Sequence, residues 1–130
     1  MDNIKIQSRN VDGLRDASKR KKMFLLLKSL NFDMFLLQET HSTPETEKMW
    51  LNEWGGDIIF SHGTSNSKGV AVLFNALSHV KPINKIKDKN GRYIITTIQL
   101  GDKETAIINV YGPNEDNPAF FWTCPLFQKL

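Results

Sequence analysis

Polar segments that could carry chemistry follow three of the apolar stretches of this chain. Asn10 follows the first stretch, in which isoleucines alternate with polar residues, and Tyr111 follows the last. Glu39 and His41 come directly after the continuously apolar run 34–37. Because open α/β sheets usually place their sites at the carboxyl ends of strands, these residues are the candidate functional residues.

Glu39 is the most informative of them. A carboxylate directly after a buried strand is partly desolvated, which is unfavourable unless a cation or hydrogen-bond donors compensate. Mg²⁺ is a suitable cation, since it prefers oxygen ligands and takes one or two protein carboxylates together with waters and phosphate. The alternative is a glutamate that pairs with a lysine or caps a helix beginning near Ser42. The residues alone leave both readings open.

The other polar residues at the strand ends have weaker signals. His41 could be a second ligand, a general base or a loop residue near the substrate. Asn10 could orient a ligand or phosphate, or occupy a left-handed turn position. Tyr111 could donate its hydroxyl to a phosphate oxygen, or be a half-buried aromatic residue at a strand end. His62 and His79 are interpreted as surface loop residues.

The composition favours one soluble globular domain. The chain has 130 residues, of which 40% are hydrophobic and 24% charged. Its apolar runs, such as those at 23–27 and 34–37, are far shorter than a membrane-spanning helix, and the N-terminus lacks a secretory signal pattern. Cys124 is the only cysteine, which excludes an internal disulfide and a zinc module. We therefore expect a nuclear or cytoplasmic protein that is not secreted.

The net charge of +3 is unevenly distributed. Seven bases against two acids lie between Ser8 and Lys28, and five bases against one acid lie between Lys81 and Arg92. Such stretches attract phosphate backbones through electrostatic steering and counterion release. The alternative is that they are solvated faces that only keep the protein soluble.

Hydrophobic periodicity predicts the elements that must position these residues. Strands and helices alternate in the first part of the chain, and a hairpin meander with Asn90-Gly91 and Gly101-Asp102 turns follows. The expected elements are a strand ending near Arg9, a helix from an N-cap at Ser18 to Leu30, a strand at 34–37, a helix from a capping box at 42–45 to about Trp54, and strands at 57–60, 70–74, 85–87, 92–100 and 105–111.

This order predicts an α/β fold with one mixed sheet and helices on one of its faces. In 130 residues we expect no second layer of comparable size on the other face. That face, lined by the first strands and by alternating Ile and Val of the 92–110 hairpin, should then be partly uncovered and favour self-association.

Four segments together resemble the N-terminal half of the endonuclease/exonuclease/phosphatase superfamily, and within it the apurinic-type endonuclease domain of non-LTR retrotransposons. They are IQSRNVDGL at 6–14, FDMFLLQETH at 32–41, SKGVAVLF at 67–74 and INVYGPN at 108–114. The resemblance implies half of a four-layered α/β/β/α sandwich and Mg²⁺- or Mn²⁺-dependent hydrolysis of a phosphodiester, usually in DNA. It implies that Glu39, with Asn10, holds the metal, that Asn10 also positions phosphate, and that Tyr111 contacts the scissile phosphate.

The resemblance covers the chain to about Pro118. The superfamily's Asp-x-Asn strand end, its later aspartate and its C-terminal Ser-Asp-His do not occur after Tyr111 in this sequence. Residues 1–118 are therefore interpreted as a partial domain and 119–130 as an atypical tail of a truncated or frame-shifted product, which we expect to be inactive alone. The open alternatives are a non-catalytic nucleic-acid-binding fragment and a superfamily phosphatase or phosphodiesterase with a non-DNA substrate.

Overall fold

The computed structural model describes residues 3–112, which form two α-helices and seven strands. In chain order they are β1 Ile6–Asn10, α1 Ala17–Leu30, β2 Met34–Gln38, α2 Glu47–Trp54, β3 Ile58–Ser61, β4 Val70–Phe74, β5 Pro82–Lys87, β6 Tyr93–Leu100 and β7 Lys103–Val110. No helix within these residues is long and apolar enough to cross a membrane. The expected boundary between residues 118 and 119 lies outside the described residues.

The first four strands form a mixed sheet in the order β1-β2-β4-β3. β1 and β2 run parallel, with α1 between them in the chain, whereas β4 is antiparallel to both β2 and β3. All five residues of β4 are buried, and its sequence is apolar throughout. The apolar runs at 34–37 and 70–74 therefore form the two central strands of this sheet, at the positions predicted for strands, whereas the run at 23–27 lies in α1.

Both helices pack on one face of the mixed sheet. Phe24 of α1 contacts Trp50 and Trp54 of α2 edge-on, with ring centroids 5.8 and 5.5 Å apart. Phe35 of β2 makes a similar contact with Trp54 at 5.9 Å. Val11 and Leu14, in the connection that follows Asn10, are buried in the same core cluster as these aromatic residues.

The N-cap of α1 differs from the predicted one. The Asp16 carboxylate accepts a hydrogen bond from the Lys19 backbone N–H at 2.8 Å, and the helix begins at Ala17, so Ser18 lies inside the first turn. Aspartate and serine are comparable N-caps, and sequence alone does not choose between neighbouring candidates.

The start of α2 also differs in detail. A 3₁₀ turn, Pro44–Thr46, precedes the helix. The Thr46 hydroxyl, rather than the Glu45 carboxylate, reaches back to Thr43, where it accepts from the backbone N–H at 3.3 Å and donates to the carbonyl at 2.8 Å. Ser42 does not cap this turn because its hydroxyl is buried in a separate side-chain network.

The hairpin meander forms a second sheet, in the order β5-β6-β7, so the prediction of a single mixed sheet is wrong in this respect. Ile94 and Ile98 of β6 are fully buried in the cluster between the sheets, which also contains Met34, Val72 and Phe74 of the first sheet. Alternate residues of β6 face the first sheet, so the hairpin lies across its open face instead of extending its edge. The face expected to be uncovered is therefore covered.

The outer face of the second sheet carries exposed apolar residues. Ile86, Ile95 and Ile108 pair in register across β5, β6 and β7. Ile86 and Ile108 are 58% and 48% exposed. The α/β class is confirmed, with helices, first sheet and second sheet in three successive layers, as expected for part of an α/β/β/α sandwich.

Candidate functional site

The parallel pairing of β1 and β2 places Asn10 beside the start of the Glu39 turn, which we define as residues 39–41. Asn10 is in register with Gln38, the last residue of β2, and the Val11 backbone N–H donates to the Gln38 carbonyl at 3.0 Å. The two predicted site residues on these strands therefore lie at one rim of the first sheet.

Asn10 organises the turn that leaves β1. Its side-chain oxygen accepts from the Asp12 backbone N–H at 2.9 Å, and Asp12 has a left-handed backbone with φ of 49°. Asn10 is exposed. Asn10 therefore has the local role in a turn that the sequence left open. Its side-chain amide nitrogen has no acceptor within residues 3–112.

The Glu39 turn has a strained backbone. Glu39 and His41 both have φ of 56°, in the left-handed region that non-glycine residues seldom adopt. Each such residue costs about 1 kcal/mol or more and persists only where the surroundings determine its conformation. Strain of this kind is concentrated at functional sites more often than elsewhere.

Hydrogen bonds from both sides hold the turn in this conformation. On one side the Gly13 backbone N–H donates to the Glu39 carbonyl at 2.7 Å. On the other side the N–H groups of Thr40 and His41 donate to the carbonyls of Gly69 and Lys68 at 3.1 and 3.0 Å. The loops after β1 and before β4 therefore clamp the turn between them.

The half-buried Glu39 carboxylate has no hydrogen-bond or ion-pair partner within residues 3–112. The lysine pairing and helix-capping alternatives are therefore not what the structure shows. A partly desolvated carboxylate without a compensating donor is a suitable ligand for a hard cation.

The His41 ring lies against Gly13. A Cβ atom on Gly13 would come within 2.6 Å of His41 Nδ1, and Gly13 itself has φ of +82°. Only glycine satisfies both the backbone conformation and the close approach at this position. His41 is half-buried, and its ring is thus part of the wall of the turn.

A pair of side-chain amides that sequence reasoning did not single out joins the two sheets at this rim. Gln38 Nε2 donates to Asn109 Oδ1 at 2.8 Å, and Asn109 Nδ2 donates to the carbonyls of Leu37 and Ala71 at 3.0 and 2.9 Å. Asn109 is only 1% exposed. The one available signal was the presence of two amides next to the candidate residues of the sequence.

Tyr111 reaches the same rim from the second sheet. Tyr111 lies two residues after Asn109, and Glu39 lies one residue after Gln38. The hydrogen bond between Gln38 and Asn109 therefore fixes the end of β7 relative to the end of β2. The Tyr111 backbone N–H donates to the Arg92 carbonyl at 2.7 Å, and its side chain packs partly against the core between the sheets.

His62 is not the surface loop residue that the sequence suggested. It follows β3 directly and stacks on Phe60, with ring centroids 5.1 Å apart. Its Nδ1 lies 2.9 Å from Ser42 Oγ and its Nε2 lies 2.9 Å from Glu47 Oε1. His79 is exposed, as expected.

A polar cavity of about 230 Å³ adjoins the Glu39 turn. Its walls include Asp12, Gly13, Arg15, His41 and Asn66, and Arg15 Nη1 donates to Asn66 Oδ1 at 3.2 Å. The turn after β1 and the loop before β4 thus form an open, hydrophilic recess next to the candidate residues.

Two bases of the stretch between residues 15 and 28 are engaged within the protein and are therefore less available to bind phosphate. Arg20 is 1% exposed, and its guanidinium pairs with the Glu53 carboxylate at 2.6 Å while lying 5.7 Å from the Trp50 ring centroid. Lys28 donates to the Glu53 carbonyl at 3.0 Å. Lys21 and Lys22 remain exposed on α1.

The second basic stretch contains an ordered ion pair in the loop between β5 and β6. Arg92 Nε donates to Asp88 Oδ2 at 2.8 Å. Burial by itself raises the pKa of Asp88, but the hydrogen bonds and positive charge of Arg92 outweigh it and hold that pKa below its ordinary value. Gly91 in this loop accepts from the Gly69 backbone N–H at 3.1 Å, so the loop supports the clamp around the Glu39 turn.

The donor set at the rim fits a magnesium-type ion better than zinc. Residues 3–112 contain no group of three or more His, Cys, Asp or Glu side chains that could hold a metal by themselves. One free carboxylate beside a carboxamide is instead the set expected for an ion that keeps waters and takes further ligands from a phosphate.

Solved structures with a similar fold include an AP endonuclease and a retrotransposon endonuclease domain. The AP endonuclease LMAP from Leishmania major superposes with a TM-score of 0.66 and 17% identity, over 90% of this chain and 42% of its own length. The endonuclease domain of TRAS1, a telomere-specific non-LTR retrotransposon, gives a TM-score of 0.60 and 10% identity, over 92% and 51%. Residues 3–112 form part of the endonuclease/exonuclease/phosphatase fold. TDP2 from Caenorhabditis elegans shares it, with a TM-score of 0.60 and 20% identity over 87% of this chain and 36% of that one.

In its sequence, too, this chain is similar to a transposon protein. It is 29% identical over 110 residues to the transposon TX1 uncharacterized 149 kDa protein of Xenopus laevis. The match covers 85% of this chain but 8% of that protein, and about half or less of each similar structure is covered. No protein-family model matches the sequence. The resemblance derived from the four sequence segments is confirmed at the level of fold.

Proposed function

We propose that this chain supplies part of the site of a metal-dependent phosphodiesterase that acts on DNA. The observation that carries the proposal is the half-buried Glu39 carboxylate, which has no partner within residues 3–112 and lies on a strained turn clamped between two loops. A fold that maintains strain around an uncompensated charge is expected to use that charge.

Three residues have distinct roles in this proposal. Glu39 binds Mg²⁺ or Mn²⁺, and the amide of Asn10 orients the metal's water or phosphate ligands. Tyr111 donates its hydroxyl to a phosphate oxygen. The metal, when bound, supplies Lewis-acid stabilisation of the charge that develops on phosphate. The turn keeps the carboxylate at a fixed place at the rim, and the Gln38–Asn109 pair keeps the second-sheet residues in reach of it.

DNA is the proposed substrate class for two reasons: the names of the similar proteins, and the positively charged residues near the Glu39 turn. The similar proteins are an AP endonuclease, a retrotransposon endonuclease domain and a transposon protein. The exposed Lys19 of α1 donates to the Asp12 carbonyl at 2.8 Å, in the turn after β1, and the polar cavity at Arg15 adjoins the Glu39 turn. Both features suit a phosphate backbone.

We further propose that the 130-residue chain alone hydrolyses DNA weakly or not at all. It spans about half or less of the similar structures, and its sequence has no match to the aspartate that activates water or the histidine that contacts phosphate in the resemblance. Loss of a general base alone typically costs about 10²–10⁴-fold in rate.

Non-catalytic nucleic-acid binding is the second candidate function. The observation that favours it is the row of exposed lysines at positions 81, 85, 87 and 89, on and beside β5. Binding by these lysines would depend steeply on salt and would not respond to Mg²⁺.

The two candidates are separated by duplex DNA affinity, measured by fluorescence anisotropy with Mg²⁺ or with EDTA at constant ionic strength. We expect Mg²⁺ to raise the affinity of the wild type several-fold and to have no effect on Glu39→Gln. Glu104→Gln, which changes an exposed carboxylate at the far end of β7, is the matched control and should respond like the wild type. Equal affinities with and without Mg²⁺ would favour the non-catalytic binder.

A plasmid nicking assay with the same variants tests the inactivity of the chain. We expect no nicking above background with Mg²⁺. Robust nicking that disappears in Glu39→Gln would contradict the inactivity and at the same time support Glu39 as the metal ligand.

A further inference from the structure

A row of hydrogen-bonded side chains runs from the Glu39 turn to the start of α2. Thr40 Oγ1 donates to Ser42 Oγ at 3.3 Å, Ser42 Oγ lies 2.9 Å from His62 Nδ1, and His62 Nε2 lies 2.9 Å from Glu47 Oε1. We propose that His62 is a positioning residue that holds the Glu39 turn in its metal-binding conformation through these hydroxyls. This inference rests on the proposed function of the turn's carboxylate.

The hydrogen bonds of the row run in one direction, from Thr40 towards Glu47. The Ser42 oxygen already accepts from Thr40, so its own proton is available to His62 Nδ1. His62 Nε2 then carries the ring proton and donates a hydrogen bond to the Glu47 carboxylate. The side chains of Thr40, Ser42 and His62 therefore each accept and donate, the Glu47 carboxylate accepts, and a neutral imidazole satisfies the row.

The His62 ring is held rigidly enough to act as an anchor. It stacks on Phe60 at an interplanar angle of 22°, and Phe60 in turn contacts Trp50 edge-on at 5.8 Å. Glu47 is the first residue of α2, and His62 directly follows β3. The ring thus connects the helix layer to the turn.

The turn needs such an anchor because its middle is buried and polar. Thr40 is 0% exposed and Ser42 is 1% exposed, so their hydroxyls cannot turn to water. A buried hydroxyl that loses its partner destabilises the conformation that buries it. Loss of His62 leaves the Ser42 hydroxyl without its acceptor, next to a turn in which two left-handed residues flank Thr40, so we expect the turn to loosen.

Close packing transmits the effect to the backbone of the turn. Thr40 Oγ1 lies so near Gly69 that a Cβ atom there would come within 2.5 Å of it. The Gly69 carbonyl also accepts from the Thr40 backbone N–H at 3.1 Å. A shift of the Thr40 hydroxyl would therefore disturb the clamp itself.

The same three side-chain types could be read as a nucleophilic Ser-His-Glu triad, and the geometry excludes this. Ser42 is buried, and its oxygen is engaged by Thr40 as well as by His62. An attacking hydroxyl must reach a substrate carbonyl or phosphorus, and this one faces the interior. The hydrogen-bonded side chains therefore have a structural role, which is to position Glu39.

Mn²⁺ binding and amide hydrogen exchange of the ¹⁵N-labelled chain test the proposal together. We expect His62→Ala to weaken Mn²⁺ binding about 10-fold, as removal of a residue that orients a metal ligand does. We expect it to speed exchange of the Thr40 and His41 amides more than that of amides in α1. His62→Gln, which can accept from Ser42 and donate to Glu47, should restore much of both, and His79→Ala, at an exposed histidine, should change neither.

The outcomes separate this inference from the proposed function. Unchanged Mn²⁺ affinity and exchange in both His62→Ala and Ser42→Ala, while Glu39→Gln abolishes binding, would overturn the positioning role and leave the metal assignment intact. Equal acceleration of exchange throughout the chain would show general destabilisation only and would also overturn the positioning role.

If the wild type binds no Mn²⁺ at the turn, the proposed function fails, and the exchange of the Thr40 and His41 amides alone decides whether His62 holds the turn. Ser42→Ala serves as the test if His62→Ala does not fold.

Discussion

Gln38 Nε2 and Asn109 Oδ1 are joined by a 2.8 Å hydrogen bond that links the two sheets where β2 and β7 end. The Asn109 amide nitrogen completes the link by donating to the carbonyls of Leu37 and Ala71 in the first sheet. The geometry of the candidate site therefore depends on two neutral amides, which lie one residue before Glu39 and two residues before Tyr111 in the sequence.

Replacement of Asn109 by leucine should lower the free energy of unfolding by about 2–4 kcal/mol. The variant removes the buried Asn109 donor from two carbonyls, and loss of a buried hydrogen-bond partner costs about 1–3 kcal/mol. It also removes one acceptor of Gln38 Nε2, which keeps Ser8 Oγ and the Leu36 carbonyl. Urea unfolding monitored by tryptophan fluorescence measures the change. Asn52→Leu, at an exposed position of α2, is the control and should stay within about 0.5 kcal/mol of the wild type. A similar loss in both variants would show that the amide link is not special.

Glycine at position 39 should be more stable than alanine at the same position by about 1 kcal/mol. Glu39 has φ of 56°, which glycine adopts without a steric penalty and alanine does not. The comparison removes the carboxylate in both variants, so only the backbone strain differs. Thermal or urea unfolding of Glu39→Gly and Glu39→Ala provides the measurement. If alanine proves equal or better, the turn is not strained in solution.

The Asp88–Arg92 pair should make stability depend on pH in the acidic range. The pKa of Asp88 is lowered in the folded protein, so its contribution is present above the ordinary pKa and is lost as the pH falls through the folded value. We expect Asp88→Asn to be less stable than the wild type by about 2 kcal/mol at neutral pH, with the difference shrinking below about pH 4. Asp102→Asn, in the exposed turn between β6 and β7, should show no such difference. A constant gap between Asp88→Asn and the wild type across this range would argue against the ion pair.

The outer face of the second sheet should cause self-association of the chain. Ile86 and Ile108 are exposed on either side of Ile95 in one cross-strand row. We expect sedimentation velocity to show concentration-dependent association, and the double variant Ile86→Thr, Ile108→Thr to reduce it while leaving the circular dichroism spectrum unchanged. A wild type that remains monomeric at every concentration would refute this prediction.

The strand ends that carry the site could be predicted from sequence because buried strands have a simple signature. The apolar runs at 34–37 and 70–74 identified β2 and β4, and the polar residues after the first run identified Glu39. The four sequence segments also predicted the fold, which the similar structures confirm.

The second sheet could not be predicted in the same way. Alternation in β6 shows that one side of the strand is buried but does not say against what. Ile94 and Ile98 could have faced a helix or the edge of the same sheet. Only tertiary packing shows that they cover Met34 and Phe74.

Residues that act through other residues were also missed. His62, Asn109 and Arg20 are polar, and polarity by itself suggests the surface. Each is instead held inside by specific partners that lie far away in the sequence: Ser42 and Glu47, Gln38, and Glu53. Long-range polar pairing of this kind has no periodic signature.

The most direct test of the central claim is a Mg²⁺ titration of the ¹⁵N-labelled chain followed by NMR. We expect saturable shifts confined to the amides of residues 10–13 and 39–41, and their loss in Glu39→Gln but not in Glu104→Gln. Resonances of these residues that stay unmoved by Mg²⁺, or shifts that persist without the Glu39 carboxylate, would contradict the central claim.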